Sequence, residues 1–485
     1  MTTMTAPAPD RRAPRLSGAA PGEPLRFAGL RVGVVGLGVE GIDIVRFLHR
    51  EGAAEIVVSE RKPIDALRES IRALGGIPVA IEAGGNDPGL AARVDALFVS
   101  QGVPGDLPLL TAARAAGVPI TAMMRLFLQR CPAPVIGITG SAGKTTVTSL
   151  VGAMFEAAGR PAFVGGNIGR GLLSALDEIE LETTAVLEIS HTQLVRTDRS
   201  PRLAAVLNVT PNHLDQFAWD DYVDLKRNLV RWQRPGDLAV LPANEPVAAG
   251  FAADTPATVH HFGMGPGMGP FDGPGATIAD GRIVWRDGDA EHDVCPAADV
   301  RLPGAHNRDN VLAAVAIGGA WGLPPAAMAD AIRGFTGVPH RLETVAEVGG
   351  VRYVDDSIAT TPERTVAALR ALEGPIVLLL GGREKRLPLA PLAEAAHGRL
   401  RAAVGFGEAG AAFTEALRAA GAAPSVVAYD DLADAVAAAR AIARPGDTVL
   451  LSPAGTSFDA YPNFAARGDH FRALARGEEG ADGAG

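Results

Sequence analysis

Gly137-Ile138-Thr139-Gly140-Ser141-Ala142-Gly143-Lys144-Thr145-Thr146 is the stretch on which the fold turns. An apolar run, Pro134–Ile138, reads as a strand ahead of it, and a helical pattern, Val147–Ala158, follows. The pattern G-x-x-x-x-G-K-[ST] is missed by one position, because Ile138 stands where its first glycine belongs. The chemistry of a phosphate loop is nevertheless complete. Successive backbone N–H groups over Gly140, Ser141 and Gly143 can cradle a β-phosphate, Lys144 can reach the β/γ oxygens, and Thr145, with Thr146 beside it, can ligate Mg²⁺. A strand, a glycine turn and a helix in this order predict a nucleoside triphosphate site in an α/β domain.

Such a sheet commonly holds its metal with an acid at the end of a neighbouring strand. The run Thr184–Leu187 ends at Glu188, and another predicted strand, Ala204–Leu207, leads into Asn208-Val209-Thr210-Pro211-Asn212-His213-Leu214-Asp215. His213 and Asp215 then stand past a strand's carboxyl end, where open α/β sheets bind ligands. Alone, Glu188 reads equally as a helix-capping acid and His213 as a surface histidine; beside the Lys144 loop both point to a metal.

Working towards the N-terminus, Gly36-Leu37-Gly38-Val39-Glu40-Gly41 fits G-x-G-x-x-G after the predicted strand Arg31–Val35. Glu60 follows the predicted strand Glu55–Val58, 19 residues past Gly41, where dinucleotide folds place an acid on a ribose hydroxyl. Glycines let a backbone approach a diphosphate at a helix N-terminus. NAD, FAD and UDP conjugates all carry one, so this motif alone also suits an NAD-dependent oxidoreductase, or a tight turn that binds nothing.

Three stretches alternate short β-branched runs with Ala/Leu-rich helical patterns, the last containing Val351–Val354, Pro375–Leu380, Ala402–Gly405 and Asp447–Leu451. This predicts three α/β domains with largely parallel sheets. The expected division is 25–124, 125–339 and 340–476, with disordered tails at 1–24 and 477–485, and a Gly-rich loop over 263–275. The length of 485 residues, with 47% hydrophobic and 21% charged residues, suits several globular cores, and the net charge of −10 argues against nucleic-acid binding. Cys131 and Cys295 lack metal-ligand spacing and suit a reducing compartment. No secretory apolar segment and no membrane-spanning run is apparent. A cytoplasmic protein is expected.

Taken together, these motifs resemble the Mur ligase family. The family's G-x-x-G-K-[ST]-[ST] matches Gly140–Thr146, its Asn-x-Gly matches Asn167-Ile168-Gly169, and its strand-end Glu followed by Ser and Gln matches Glu188, Ser190 and Gln193. The N-V-T-x-x-H-x-D segment matches Asn208–Asp215 and G-x-H-N-x-x-N matches Gly304–Asn310. His340-Arg341 stands at the last domain junction, and Asp355-Asp356-Ser357 is similar to the N-D-S motif. Leu451–Ala454, Ser457, Phe458, Asp459 and Arg467-Gly468 resemble the terminal signature of the glutamate-adding branch. The resemblance spans Leu30 to Leu474.

It implies a Rossmann-like UDP-binding N-domain, a central P-loop ATPase-type domain and a Rossmann-like C-terminal domain. The implied activity is ATP-dependent ligation of glutamate, in the D form, to UDP-N-acetylmuramoyl-L-alanine. An acyl phosphate is the intermediate, and the pathway is peptidoglycan precursor synthesis, on which cell wall, shape and division depend. Leu37, Gly38, Ser59, Glu60, Arg61, Asn167 and Gln193 would hold the UDP substrate. Asn310, Arg341 and Asp356 would join the phosphate loop around ATP. Thr145, Glu188, His213 and a carbamylated Lys226, on the predicted helix Tyr222–Trp232, would hold Mg²⁺. Thr360, Lys385, Ser457 and Phe464 would form the amino-acid pocket. ATP and acceptor contacts then lie on different domains, so closure is expected during turnover, in a monomer.

Three departures stand out. The usual Asp-Ser-Lys-Ala-Thr-Asn reads Asp356-Ser357-Ile358-Ala359-Thr360-Thr361, losing a cation. His191-Thr192 replaces a Ser-Phe pair, and Asn212 stands where an acid often precedes the metal histidine. They leave open L-glutamate, or the substrates of another Mur or folylpolyglutamate-type ligase.

Overall fold

The computed structural model describes residues 26–167, 171–211, 217–264, 273–302, 304–385 and 387–478. The expected tail at 1–24, most of that at 477–485, most of the Gly-rich loop, Ile168-Gly169 and the segment containing Asn212, His213 and Asp215 lie outside these. The described residues build three sheets in two compact units, which divide after Phe335.

The first sheet is five-stranded and parallel, in the order Ala80–Ala83, Glu55–Glu60, Arg31–Val35, Ala96–Val99, Ile120–Thr121. Its central strands are nearly continuous apolar runs because helices cover both faces. The second sheet has nine strands. In order they are Glu291–Pro296, Arg282–Arg286, Gly275–Ala279, Thr258–Phe262, Leu238–Pro242, Leu203–Val206, Val135–Thr139, Thr184–Glu188 and Ala162–Gly166. Eight run in one direction, and only Arg282–Arg286, the first strand of the edge hairpin Arg282–Pro296, runs against them, a hairpin the sequence does not announce.

These two sheets share one unit and one core. Phe27, Phe98 and Phe127 pack in the same buried cluster as Leu172, Leu187 and Val206. The expected boundary near residue 125 falls inside the helix Met123–Arg130. A polar stitch reinforces the join. Asp43, only 4% exposed on the helix Val39–Arg50, accepts from the backbone N–H groups of Leu173 (2.9 Å) and Ser174 (2.9 Å). It thereby caps the short helix Leu172–Ala175 from another chain segment.

The second unit carries a six-stranded sheet ordered Glu343–Val348, Val351–Asp355, Thr448–Ala454, Ile376–Gly381, Leu400–Phe406, Val426–Tyr429. Only its first strand is antiparallel. Helices predicted as Val147–Ala158 and Tyr222–Trp232 run over Lys144–Ala157 and Trp219–Arg231, so Lys144 and Thr145 occupy a first helical turn. No helix among the described residues is long and apolar enough to cross a membrane.

Candidate active site

The strand Val135–Thr139 delivers the glycine turn to the head of the helix Lys144–Ala157. Gly143 sits at φ +82°, and a Cβ there would meet the Asn310 Oδ1 at 2.2 Å. Only glycine serves both conditions. Asn310, 8% exposed on the helix Ala305–Ala320, is thus brought against the turn. The turn is braced from the strand Leu203–Val206: Ala142 N–H donates to Asn208 Oδ1 (2.9 Å), and the Ser141 hydroxyl to the Thr210 carbonyl (3.0 Å). Lys144 Nζ folds back onto the carbonyls of Gly140 (3.0 Å) and Ser141 (3.4 Å).

Thr145 and Glu188 meet as the sequence predicts. The Thr145 hydroxyl donates to Glu188 Oε2 at 2.7 Å, while Asn167 Nδ2 donates to Oε1 at 3.0 Å. Glu188 is 3% exposed. A buried carboxylate beside a hydroxyl at a phosphate turn is an all-oxygen donor set, which fits Mg²⁺. Lys226 enters the same space. It is 1% exposed, and its Nζ donates to Thr139 Oγ1 (3.1 Å) and the Gly140 carbonyl (3.0 Å). Burial first, then the neighbouring charge of Lys144, hold its pKa well below the usual lysine range, with Glu188 opposing. This amine is poised to be neutral.

The first glycine turn opens on a cavity of about 600 Å³ between the first two sheets. A Cβ at Gly41 would meet the Gly36 carbonyl oxygen at 2.1 Å, so the helix can close on the turn only with glycine there. Glu60 also lines the cavity, and its carboxylate accepts from the backbone N–H of Leu37 (2.8 Å) and of Lys62 (3.0 Å), which leaves a lone pair on each oxygen for a ligand. Ser59, buried, donates to Asn86 Oδ1 at 2.8 Å. Gly38, Arg61, Lys62 and Asn167 line the cavity with Glu40, whose pKa burial raises to about 7. Two exposed cations and an acid partly neutral near pH 7 suit a dianionic diphosphate.

Gln193 caps the turn after Glu188: its Oε1 accepts from Ser190 N–H (2.9 Å), and its buried Nε2 has no hydrogen-bond partner among the described residues. The His191-Thr192 departure is absorbed by new packing and by one long-range hydrogen bond. His191 packs edge-on against Phe217, and the Thr192 hydroxyl donates to Gln101 Oε1 at 3.0 Å. Lys62, Asn86 and Gln101 escaped the sequence reading; for Lys62 the adjoining Arg61 was the available signal.

In the second unit, Asp356 is 5% exposed and receives Ser452 Oγ (2.8 Å) and Leu342 N–H (3.3 Å). Burial raises its pKa to about 7, and Arg341 is close enough to oppose that rise. Lys385 Nζ donates to Thr360 Oγ1 at 3.3 Å. The backbone bridge Arg383–Thr456 lays the Lys385 loop beside Ser457, and the Phe464 carbonyl accepts from Ser357 Oγ at 2.8 Å. His213 lies outside the described residues.

A phosphate turn at the head of a largely parallel sheet, preceded in the chain by a dinucleotide-type domain and followed by a third α/β domain, defines the class of three-domain nucleotide-dependent α/β proteins. Residues 30–122 match the family described as Mur ligase MurD-like, N-terminal domain; 138–318 match Mur ligase middle domain; and 340–455 match Mur ligase, glutamate ligase domain. The chain belongs to the Mur ligase family. It is 41% identical, over 92% of its length and 97% of the relative's, to the UDP-N-acetylmuramoylalanine–D-glutamate ligase of Symbiobacterium thermophilum. The ligase of the same name from a Roseiflexus species is 38% identical over 93% and 99%. Among solved structures, UDP-N-acetylmuramate-alanine ligase of Thermotoga maritima shares the fold, with TM-score 0.50 and 17% identity over 93% of this chain and 100% of that one.

Proposed function

We propose that the chain joins D-glutamate to UDP-N-acetylmuramoyl-L-alanine at the expense of ATP, in peptidoglycan precursor synthesis in the cytoplasm. The observation that carries this reading is the convergence of Lys144, Thr145, Glu188 and Lys226 on one glycine turn. That convergence is what a phosphoryl transfer to a carboxylate requires. Its principal obstacle is electrostatic, because an anionic acceptor must approach a triphosphate.

Thr145, Glu188, His213 and Lys226 as its carbamate would hold Mg²⁺, which when bound supplies positive charge against the phosphates and the incoming carboxylate. Lys144 would exchange its loop carbonyls for β/γ-phosphate oxygens. Asn310, Arg341 and Asp356 would fix the nucleoside. The alanine carboxylate of the UDP substrate, held through Leu37, Gly38, Ser59, Arg61, Asn167 and Gln193, would take the γ-phosphoryl group. The acyl phosphate so formed is attacked by the glutamate amine, and phosphate leaves. Glu60 would contact the same substrate while its carboxylate also locks the Leu37 turn. Thr360, Lys385, Ser457 and Phe464 would hold glutamate.

The test supplies ATP, Mg²⁺ and UDP-N-acetylmuramoyl-L-alanine with D- or L-glutamate separately, following ADP and the product mass. ADP formation that depends on D-glutamate is expected, and Lys144→Ala should lower it at least about 10³-fold. No ADP with any amino acid would end the proposal.

A further inference from the structure

The departure at Ile358 removes a cation two residues from Thr360 of the predicted amino-acid pocket, and the fold brings another to the Ile358 backbone. Arg364 lies in the first turn of the helix Pro362–Ala371. Its guanidinium folds back along the chain, so that NH1 donates to the Ile358 carbonyl at 3.0 Å. Across from it, Lys385 Nζ rests on the Thr360 hydroxyl at 3.3 Å. The two cations are near enough that Arg364, after burial, helps to lower the lysine's pKa.

Neither head group has a carboxylate within ion-pair distance among the described residues. One is parked on a carbonyl and the other on a hydroxyl. Like charges held together without a counter-ion are unfavourable, and an anion between them converts the repulsion into attraction. The amine of an incoming amino acid must stay free to attack, so recognition falls on its carboxylates. A planar guanidinium beside an ammonium suits one carboxylate, the first by paired N–H donors and the second as a point charge.

We propose that Arg364 is a substrate-binding residue that takes, together with Lys385, a carboxylate of the incoming amino acid, in place of the cation absent at Ile358. This rests on the reading that the second unit receives the amino acid. Arg364 acts on affinity and not on the chemical step, so its loss should appear in KM for glutamate.

Steady-state kinetics of Arg364→Ala should show KM for glutamate raised about 30-fold, as expected for one charge-assisted contact. The kcat, and the KM values for ATP and the UDP substrate, should stay within about threefold of wild type. Arg364→Lys should keep much of the affinity, and Ile358→Lys added to Arg364→Ala should restore part of it. A glutamate KM unchanged in a folded Arg364→Ala, or all three KM values rising together, overturns the proposal. Calorimetric titration of D-glutamate and glutarate into wild type and variant separates this from failure of the ligase reading. Binding lost on substitution, in a protein that never turns over ATP, keeps the subsite and removes the ligase. A wild type that binds neither removes the subsite.

Discussion

The Thr145 hydroxyl donates to the Glu188 carboxylate across 2.7 Å, tying the first turn of the phosphate-loop helix to the end of the neighbouring strand. Both atoms are hard oxygen donors on rigid elements, and under the proposed function they would hold Mg²⁺ beside the nucleotide. Glu188→Gln keeps the shape and removes the charge. Turnover is expected to fall by about 10²–10³-fold, and half-saturation by Mg²⁺ to move to higher concentration. Thr145→Ser, which preserves the hydroxyl, should stay near wild type while Thr145→Ala does not. A magnesium titration read by ADP release checks both, and an unchanged curve for Glu188→Gln would remove this pair from the metal site.

Lys226 raises a separate question, because a cationic lysine beside a magnesium ion would repel it. Burial and Lys144 favour the neutral amine, which is the form that attacks CO₂ to give a carbamate with release of one proton. Activity should therefore decline when the enzyme is stripped of CO₂ and return on adding bicarbonate. A carbamate carbon should appear by NMR after labelling with ¹³C-bicarbonate and vanish in Lys226→Ala. Full activity in CO₂-free buffer, with no such resonance, would refute the modification.

The Lys144 loop and Glu188 were legible in sequence because their chemistry is local: a glycine turn between strand and helix, and an acid closing an apolar run. Lys226 could be placed by spacing and resemblance, but its burial against Thr139 and Gly140 depends on how helix Trp219–Arg231 packs. The Thr192–Gln101 bond joins two sheets across 91 residues and leaves no periodic trace. Glu60 is legible as an acid closing a strand beside the glycine turn, but its bonds to the Leu37 and Lys62 backbone depend on how that turn folds. The hairpin Arg282–Pro296 escaped because a register shift between Ile283 and Val284 breaks the alternation that marks a strand. Arg364 escaped for a third reason: only the fold turns it back to Ile358.

Asp356 gives a pH-dependent prediction whose sign follows from linkage. Its folded pKa, about 7, lies above the ordinary carboxylate value because burial disfavours the charge. Below about pH 4 both folded and unfolded forms are protonated and the residue costs nothing. Between about 4 and 7 the unfolded chain ionises first, so its contribution to stability falls as pH rises and then levels off. Asp356→Asn should thus stabilise the protein at pH 8 by roughly 1–4 kcal/mol relative to its effect at pH 4, while raising KM for ATP. Denaturant melts at the two pH values measure the difference. Equal shifts at both would show that the carboxyl is ionised in the fold at no cost.

Gly468 offers a case where helix propensity and packing disagree. It lies inside the helix Phe464–Arg476, where alanine is ordinarily preferred by about 1 kcal/mol. Here a Cβ would stand 2.2 Å from His340 Nδ1 and 2.5 Å from Asp355 Oδ2. Neither can easily retreat. His340 donates through its backbone N–H to Glu343 (2.9 Å), its ring is paired with Asp355 at 2.8 Å, and its φ is already +61°. Glu343 is in turn held by both oxygens on Arg472. Packing should win, and Gly468→Ala should cost about 2 kcal/mol, in the range of an overpacked core site. Because the shortest contact is with the His340 ring, His340→Ala in the Gly468→Ala background should be less damaging than the sum of the two single changes, the contact with Asp355 remaining. Denaturation of wild type and the three variants settles the sign: a stabilised Gly468→Ala would mean that the His340–Asp355 pair yields more readily than its bonds suggest.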